Sequence, residues 1–431
     1  MNEYDLLIIG SGPAGYTAAF EAAARSMRVA MIERDFERIG GVCLSEGCIP
    51  LKGLIFHAHG TKDYVAVRDR VMQRVSLIRS GLVSRLKGSG VDLIEAEGAF
   101  ISEREVEAGG RRYGGKFILI AAGSRPKRFF EHPQVYSSDA IFSLSRAPGR
   151  VLIIGGGVVG CEYATFLSMI GARVDIVEVC DSLLAGEDQE AVRVMIREFK
   201  KKGIGIFTNT RVTEIRGSGI AVLCGPEKQE TREYDVIFET AGRVPATEGL
   251  NCSAAGVMVT DKGFIEVDNS YRTSVPHIYA AGDCIDTPML AYTAAREAEA
   301  AVHHIATGGI LPVDYRSMPR VVFSIPQVGG VGCTETEVGD RGIEPKVYRR
   351  YFRALGKAVV EGRDAGFVKI VTDAKTGAII GASAVGEEIA DMMNHIALMV
   401  GCGITVRQAR ASFYVHPSYS EIILDALQYG G

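Results

Sequence analysis

The chain has no basic block of the kind that tracks a phosphate backbone. Its 48 Lys+Arg and 52 Asp+Glu are interspersed along 431 residues and leave a net charge of −4. That excludes the basic stripe with which a protein tracks a nucleic-acid backbone. A cationic leader and a long apolar run are lacking too. The uncharged stretch Leu6 to Phe20 follows Glu3 and Asp5 and is interrupted by glycines, so it reads as neither a secretion signal nor a membrane span. A cytoplasmic setting with no membrane partner is expected. Nine cysteines, an odd number over a long chain, do not make the framework of a small secreted fold. No spacing suggests metal ligands, and His57, His59, His303 and His304 read as solvated helix faces. What is present is 47% apolar residues, enough for a large core and, at this length, about two to three domains.

Chemistry first shows in a repeated pattern. The apolar run Asp5 to Ile9 reads as a buried parallel strand that enters Gly10-Ser-Gly12-Pro13-Ala14-Gly15 and an alanine-rich helix to about Arg25. A second strand, Met27 to Ile32, ends at Glu33, 23 positions after the first glycine. The block recurs as Val151 to Ile154, then Gly155-Gly-Gly157-Val158-Val159-Gly160, a helix to near Gly171, a strand Arg173 to Val177 and Glu178, again 23 positions on. The glycines permit a tight turn and close approach of a pyrophosphate to a helix N-terminus, and the acid accepts from a ribose 2′-OH. One such turn is weak evidence. Two with matching strands, helices and acids imply two dinucleotides on one chain, one a flavin and one a nicotinamide nucleotide.

Between the first unit and its continuation lies Gly40-Gly41-Val42-Cys43-Leu-Ser-Glu-Gly-Cys48-Ile-Pro-Leu-Lys52, a glycine turn entering an expected helix. A helix start brings such cysteines close enough for a strained disulfide, and its positive end favours the thiolate. With Ile120-Ala-Ala122-Gly123-Ser-Arg-Pro126, Ala241-Gly242-Arg-Val-Pro245, Ile278-Tyr-Ala-Ala-Gly-Asp283, Pro288-Met-Leu-Ala291 and His416-Pro-Ser-Tyr-Ser-Glu421, the sequence resembles the pyridine nucleotide-disulfide oxidoreductases nearly end to end. It is most similar to their dihydrolipoamide dehydrogenase branch.

The resemblance implies an α/β fold with two Rossmann-like domains, for FAD and NAD, and a C-terminal α+β dimerisation domain. Expected limits are 1–145 and 263–312 for the FAD domain, 146–262 for the NAD domain and 313–431 for the interface domain. It implies a homodimeric, FAD-dependent enzyme that moves electrons between NAD and a small-molecule or lipoyl-domain disulfide, with a 2-oxoacid dehydrogenase complex as a possible partner. Cys48 would face the flavin and Cys43 would meet substrate; His416 of the other subunit, oriented by Glu421, would be their acid/base. Lys52 would pair with Glu162 beside the flavin ring. Asp283 would hold the ribityl chain, with Gly41, Val42, Gly98, Ala122, Gly123 and Ala291 also against FAD, and Gly242 with the second glycine turn against NAD.

Departures from the family pattern are Leu51, where serine is common, Tyr292 and Thr293 after Ala291, a short 53–97 segment, and Ser45-Glu46 between the cysteines. Glu46 is expected to be a solvated acid in the first turn of a helix. In the C-terminal part, Phe367 to Val371 and Ala378 to Val385 read as strands around a turn, with Ile389, Met392, Met393, Ile396 and Met399 as core or subunit contact. A glutathione-type reductase drops, because the chain lacks the cations that the peptide's carboxylates need; a mercuric reductase, though the C-terminal vicinal cysteines are lacking, and a docked or redox-sensing subunit stay in view.

Overall fold

The computed structural model describes residues 2–340 and 342–431. Strand β1 (Asn2–Ile9) leads into helix α1 (Pro13–Ala23) and strand β2 (Val29–Glu33). Leu6, Leu7 and Ile8 are wholly buried because both sheet faces are covered, each adding about 1.5–3 kcal/mol of apolar burial. Helices α2 (Gly41–Ser45), α3 (Cys48–His57) and α4 (Tyr64–Gly88) follow, then strands β3 (Asp92–Glu95), β4 (Gly98–Phe100), β5 (Glu105–Ala108) and β6 (Arg111–Ile120). The sheet order is β3-β2-β1-β6-β5-β4, and the strand Ile278–Ala280 returns much later in the chain to pair in parallel with β6. Helix Ala291–Thr307 then packs along α1.

A second parallel sheet has the order 205–207, 173–177, 150–154, 236–239, 135–137, with helix Val158–Met169 filling its first crossover. A three-stranded antiparallel sheet (211–216, 220–224, 229–233) is attached to it. The chain passes between the two units through Ser124–Pro126 and Arg243–Pro245, which pair antiparallel. Residues 320–386 supply a five-stranded antiparallel sheet, covered by helices Ile389–Gly401 and Glu421–Tyr429. Ile389, Met392, Met393 and Ile396 are buried in its core, with Met399 packed against it. One apolar cluster joins α3 and α4 to the second sheet and to Val322, Phe367 and Val385, which locks the cysteine-bearing helices against both later units. Among the described residues no helix is long and apolar enough to cross a membrane.

Candidate active site

The first glycine turn owes its shape to contacts only glycine allows. Gly10 has φ +103°, and a Cβ there would lie 2.3 Å from the Ala121 carbonyl; one on Gly15 would lie 2.0 Å from the Gly10 carbonyl. Gly12 caps α1 without any side-chain hydrogen bond, so the helix N-terminus keeps N–H donors for an anion, with Pro13 and Ala14 opening the helix. Glu33, at the end of β2, accepts from the Ser11 N–H at 3.1 Å and the Ser11 hydroxyl at 2.6 Å. The second turn repeats this design. Gly155 has φ +111° with Ala241 against it, Gly160 abuts the Gly155 carbonyl, and Glu178 accepts from the Gly156 N–H at 2.6 Å and the Cys180 N–H at 2.8 Å. Around it Gly157 and Gly242 face open space, Val158 is exposed and Val159 half-buried.

Asp283 lies three positions beyond the returning strand, at the carboxyl edge of the first sheet where α/β folds bind ligands. The Ser124 hydroxyl donates to its Oδ2 at 2.6 Å, and the Arg243 guanidinium donates to both the Ser124 hydroxyl and its carbonyl at 2.7 Å. Sequence reasoning assigned no role to Ser124 and Arg243, although both lie in motifs it quoted. Ala122 and Gly123, the latter at φ +72°, lead from β6 to this serine. Gly98 is buried beneath β2, where a Cβ would lie 3.2 Å from Ile32, and Ala291 opens its helix.

The cysteines occupy two helices, not the one expected. Cys43 is in α2 and Cys48 begins α3, with a break at Gly47, where a Cβ would approach the Val42 carbonyl to 2.8 Å. Both are free thiols, Cys43 half-buried and Cys48 exposed in the single chain. Cys48 falls to about 7 because Cys43 donates to it and, despite the cost of burial, because the Lys52 ammonium faces it. Cys43 is raised, by that same bond and by burial. Lys52 Nζ bonds Glu162 Oε2 at 2.7 Å. Glu162 is wholly buried, and its other oxygen accepts from the Phe323 N–H at 3.0 Å. Phe323 comes from the C-terminal part and carried no sequence signal.

Glu46 is not the solvated acid expected. It ends α2 instead of opening a helix, and it pairs with Arg38 at 2.5 Å, half-buried, with its carboxyl raised by that burial. His304 also departs from the solvated face expected of it: its Nδ1 lies 2.9 Å from the Tyr279 hydroxyl. Tyr292 donates to the Pro319 carbonyl, while Leu51 is buried in the core. His416 Nδ1 lies 2.7 Å from Glu421 Oε1. Burial would raise the Glu421 carboxyl, but the Ser418 N–H and His416 hold it below its ordinary value. The His416 side chain is 83% exposed, so its free nitrogen faces outward from its own chain.

A family model described as pyridine nucleotide-disulphide oxidoreductase matches residues 4–298, and the dimerisation domain of the same family matches 318–427. The chain belongs to this family. The family is FAD-dependent and uses NAD(P), its members are enzymes, and the matched dimerisation domain, which contains His416 and Glu421, supports a homodimer. The chain is 33% identical to the dihydrolipoyl dehydrogenase of Haloferax volcanii, covering 98% of this chain and 95% of that one. It is also 33% identical to that of Bacillus subtilis, covering 99% and 96%. The HOCl-induced flavoprotein disulfide reductase RclA from Escherichia coli, solved as a Cu(II) complex, superposes with a TM-score of 0.93 at 28% identity over 99% of each chain. LpdA from Mycobacterium tuberculosis gives 0.92 at 25% identity over 99% of each.

Proposed function

We propose that this oxidoreductase is a dihydrolipoyl dehydrogenase, oxidising dihydrolipoamide with NAD+ through Cys43 and Cys48. The observation that carries the reading is the placement of Cys43 and Cys48 on adjoining short helices, with the Lys52–Glu162 pair at 2.7 Å one turn beyond Cys48. The uncapped α1 terminus with its Gly12 floor, and Asp283 held at one oxygen, fit FAD; the open Gly157 turn with Glu178 fits NAD. When bound, FAD would supply two-electron transfer between nicotinamide and thiols. In this reading residues 1–145 and 263–312 form the FAD domain, 146–262 the NAD domain and 313–431 the interface.

The chain's own groups divide the remaining work. With the two cysteines oxidised to a disulfide, a substrate thiolate attacks Cys43 Sγ and Cys48 leaves as thiolate. Lys52 stabilises that charge, and Glu162 fixes Lys52. The second substrate thiol, deprotonated by the partner's His416, then releases Cys43 and closes the substrate disulfide. Glu421 holds the imidazole and stabilises its protonated form. Steady-state assay of the FAD-loaded protein with dihydrolipoamide and NAD+ tests this directly; turnover no faster than with unrelated dithiols would sink it.

The likeness to RclA and its Cu(II) complex favours a second reading, reduction of a thiophilic metal ion by the same cysteine pair. Removal of the His416 imidazole separates the two. Lipoamide turnover needs that base, whereas electron delivery to a metal ion held by thiolates does not.

A further inference from the structure

Away from the redox site, a cleft of about 720 Å³ opens between helix Gln189–Lys201 and the strand Pro345–Tyr351 with the turn that follows it. Arg193 and Arg197, one turn apart on the exposed face of the helix, line one side, and Arg349 and Arg353 line the other. Two carboxylates share the lining. Glu190 is already engaged, by Arg349 at 2.5 Å and by Lys369 at 3.1 Å. Asp364 pairs with none of the four arginines. Among the described residues Arg193 and Arg353 have no carboxylate partner, and Arg197 meets only its neighbour Glu198, at 3.8 Å. The cationic face continues along the helix through Lys200 and Lys201.

A protein with a net charge of −4 therefore concentrates guanidinium groups around one concavity. Two are preset. Arg349 lies over the Phe367 ring at 5.4 Å and Arg353 over the Tyr351 ring at 4.9 Å, so little side-chain freedom remains to be lost on binding. Guanidinium forks match phosphate oxygens two at a time, and arginines from opposite walls suit a ligand with more than one phosphate. The cleft has the size of a small-molecule site and not of a macromolecular face. Tyr351 and Phe367 already serve the arginines, so no ring is free to stack a base.

We propose that this cleft binds a small phosphate-rich anion of the diphosphate or triphosphate class, bridging the second dinucleotide unit and the C-terminal sheet. Such a bridge stabilises both units by linkage. The test uses inorganic triphosphate on the FAD-loaded dimer, saturated with NAD+ so that the glycine turns are filled, with calorimetry and thermal unfolding at constant ionic strength. Saturable binding of about one anion per chain with a rise in Tm is expected. Arg193→Ala with Arg353→Ala, both exposed positions, should weaken it roughly tenfold or more. Removing two remote exposed cations, Arg211→Ala with Lys228→Ala, should leave it unchanged. A response equalled by chloride at the same ionic strength overturns the proposal, and so does triphosphate binding that persists in the Arg193/Arg353 variant.

Discussion

In the first dinucleotide unit a Cβ on Gly41 would stand 2.7 Å from the Gly12 Cα, so the helix that carries Cys43 lies directly on the glycine turn. In the second unit a Cβ on Gly157 would meet nothing within 4 Å. The two turns share strand, glycine and acid geometry but differ in what covers them. A covered turn that continues into the redox helix suits a resident cofactor, and an open one suits a nucleotide that arrives and leaves each cycle. On the proposed reading the first is FAD and the second NAD, and identical fingerprints are told apart by what the fold lays over them.

The largest expected effect lies on the covered side. Cys43→Ser and Cys48→Ser should each reduce disulfide turnover by roughly 10⁴-fold or more. Cys43→Ser should keep the long-wavelength thiolate-to-flavin absorbance and Cys48→Ser should lose it; the reverse pattern swaps the two roles.

His416→Ala should cost about 10²- to 10⁴-fold in disulfide turnover and spare flavin content and reduction by NADH. Its side chain is 83% exposed, so on the proposed reading it completes the covered site of the partner. Co-refolding equal amounts of Cys43→Ser and His416→Ala chains gives about half heterodimers by random pairing. Each has one intact site, so about a quarter of wild-type activity should return. Differentially tagged heterodimers without recovered activity would falsify the shared site.

Gly41→Ala sets the covered turn against the open one. At φ +68° and with the clash noted above, it should destabilise the protein by about 1–3 kcal/mol and lower flavin loading. Gly157→Ala should leave stability alone and change only the KM for NADH. Equal losses of stability from the two would erase the contrast.

Smaller still, NADH should be preferred over NADPH. On the proposed reading Glu178 would accept from a 2′-OH and repel a 2′-phosphate, and Val179-Cys180 supplies no arginine. Glu178→Ala should narrow the ratio of kcat/KM by about tenfold; a wild type that prefers NADPH contradicts the assignment.

The smallest effect is on pH dependence. Cys48 titrates near 7 in the folded protein against an ordinary 9.0, so the folded state favours its thiolate. The stability this gives the reduced protein is complete above the ordinary thiol value and is lost as pH falls through about 7. Charge-transfer absorbance should fade over the same range, and Lys52→Met should move the midpoint upward. A midpoint unmoved by that change removes the lysine from the account.

Much of the site was legible in the chain because it is local. Each glycine turn, its acid 23 positions on, and His416 with Glu421 five positions on are short-range patterns whose spacing the backbone must satisfy. The periodic apolar residues from Ile389 to Ile396 announced their core in the same way. What spacing could not supply was long-range. Nothing near Glu162 announces that the Phe323 amide, 161 positions later, holds its second oxygen. Nor does Asp283 announce Ser124, 159 positions earlier.

Read alone, the chain already encodes two glycine-turn units, a close cysteine pair and a C-terminal histidine beside its glutamate, because each lies within one strand-turn-helix or one turn. Only the tertiary structure decided which glycine turn is covered, how the α2–α3 break seats Cys43 against Cys48, and which way His416 faces. Those depend on how distant elements pack, and packing is set by the shape of the apolar cores together, not by the spacing of residues along any one of them.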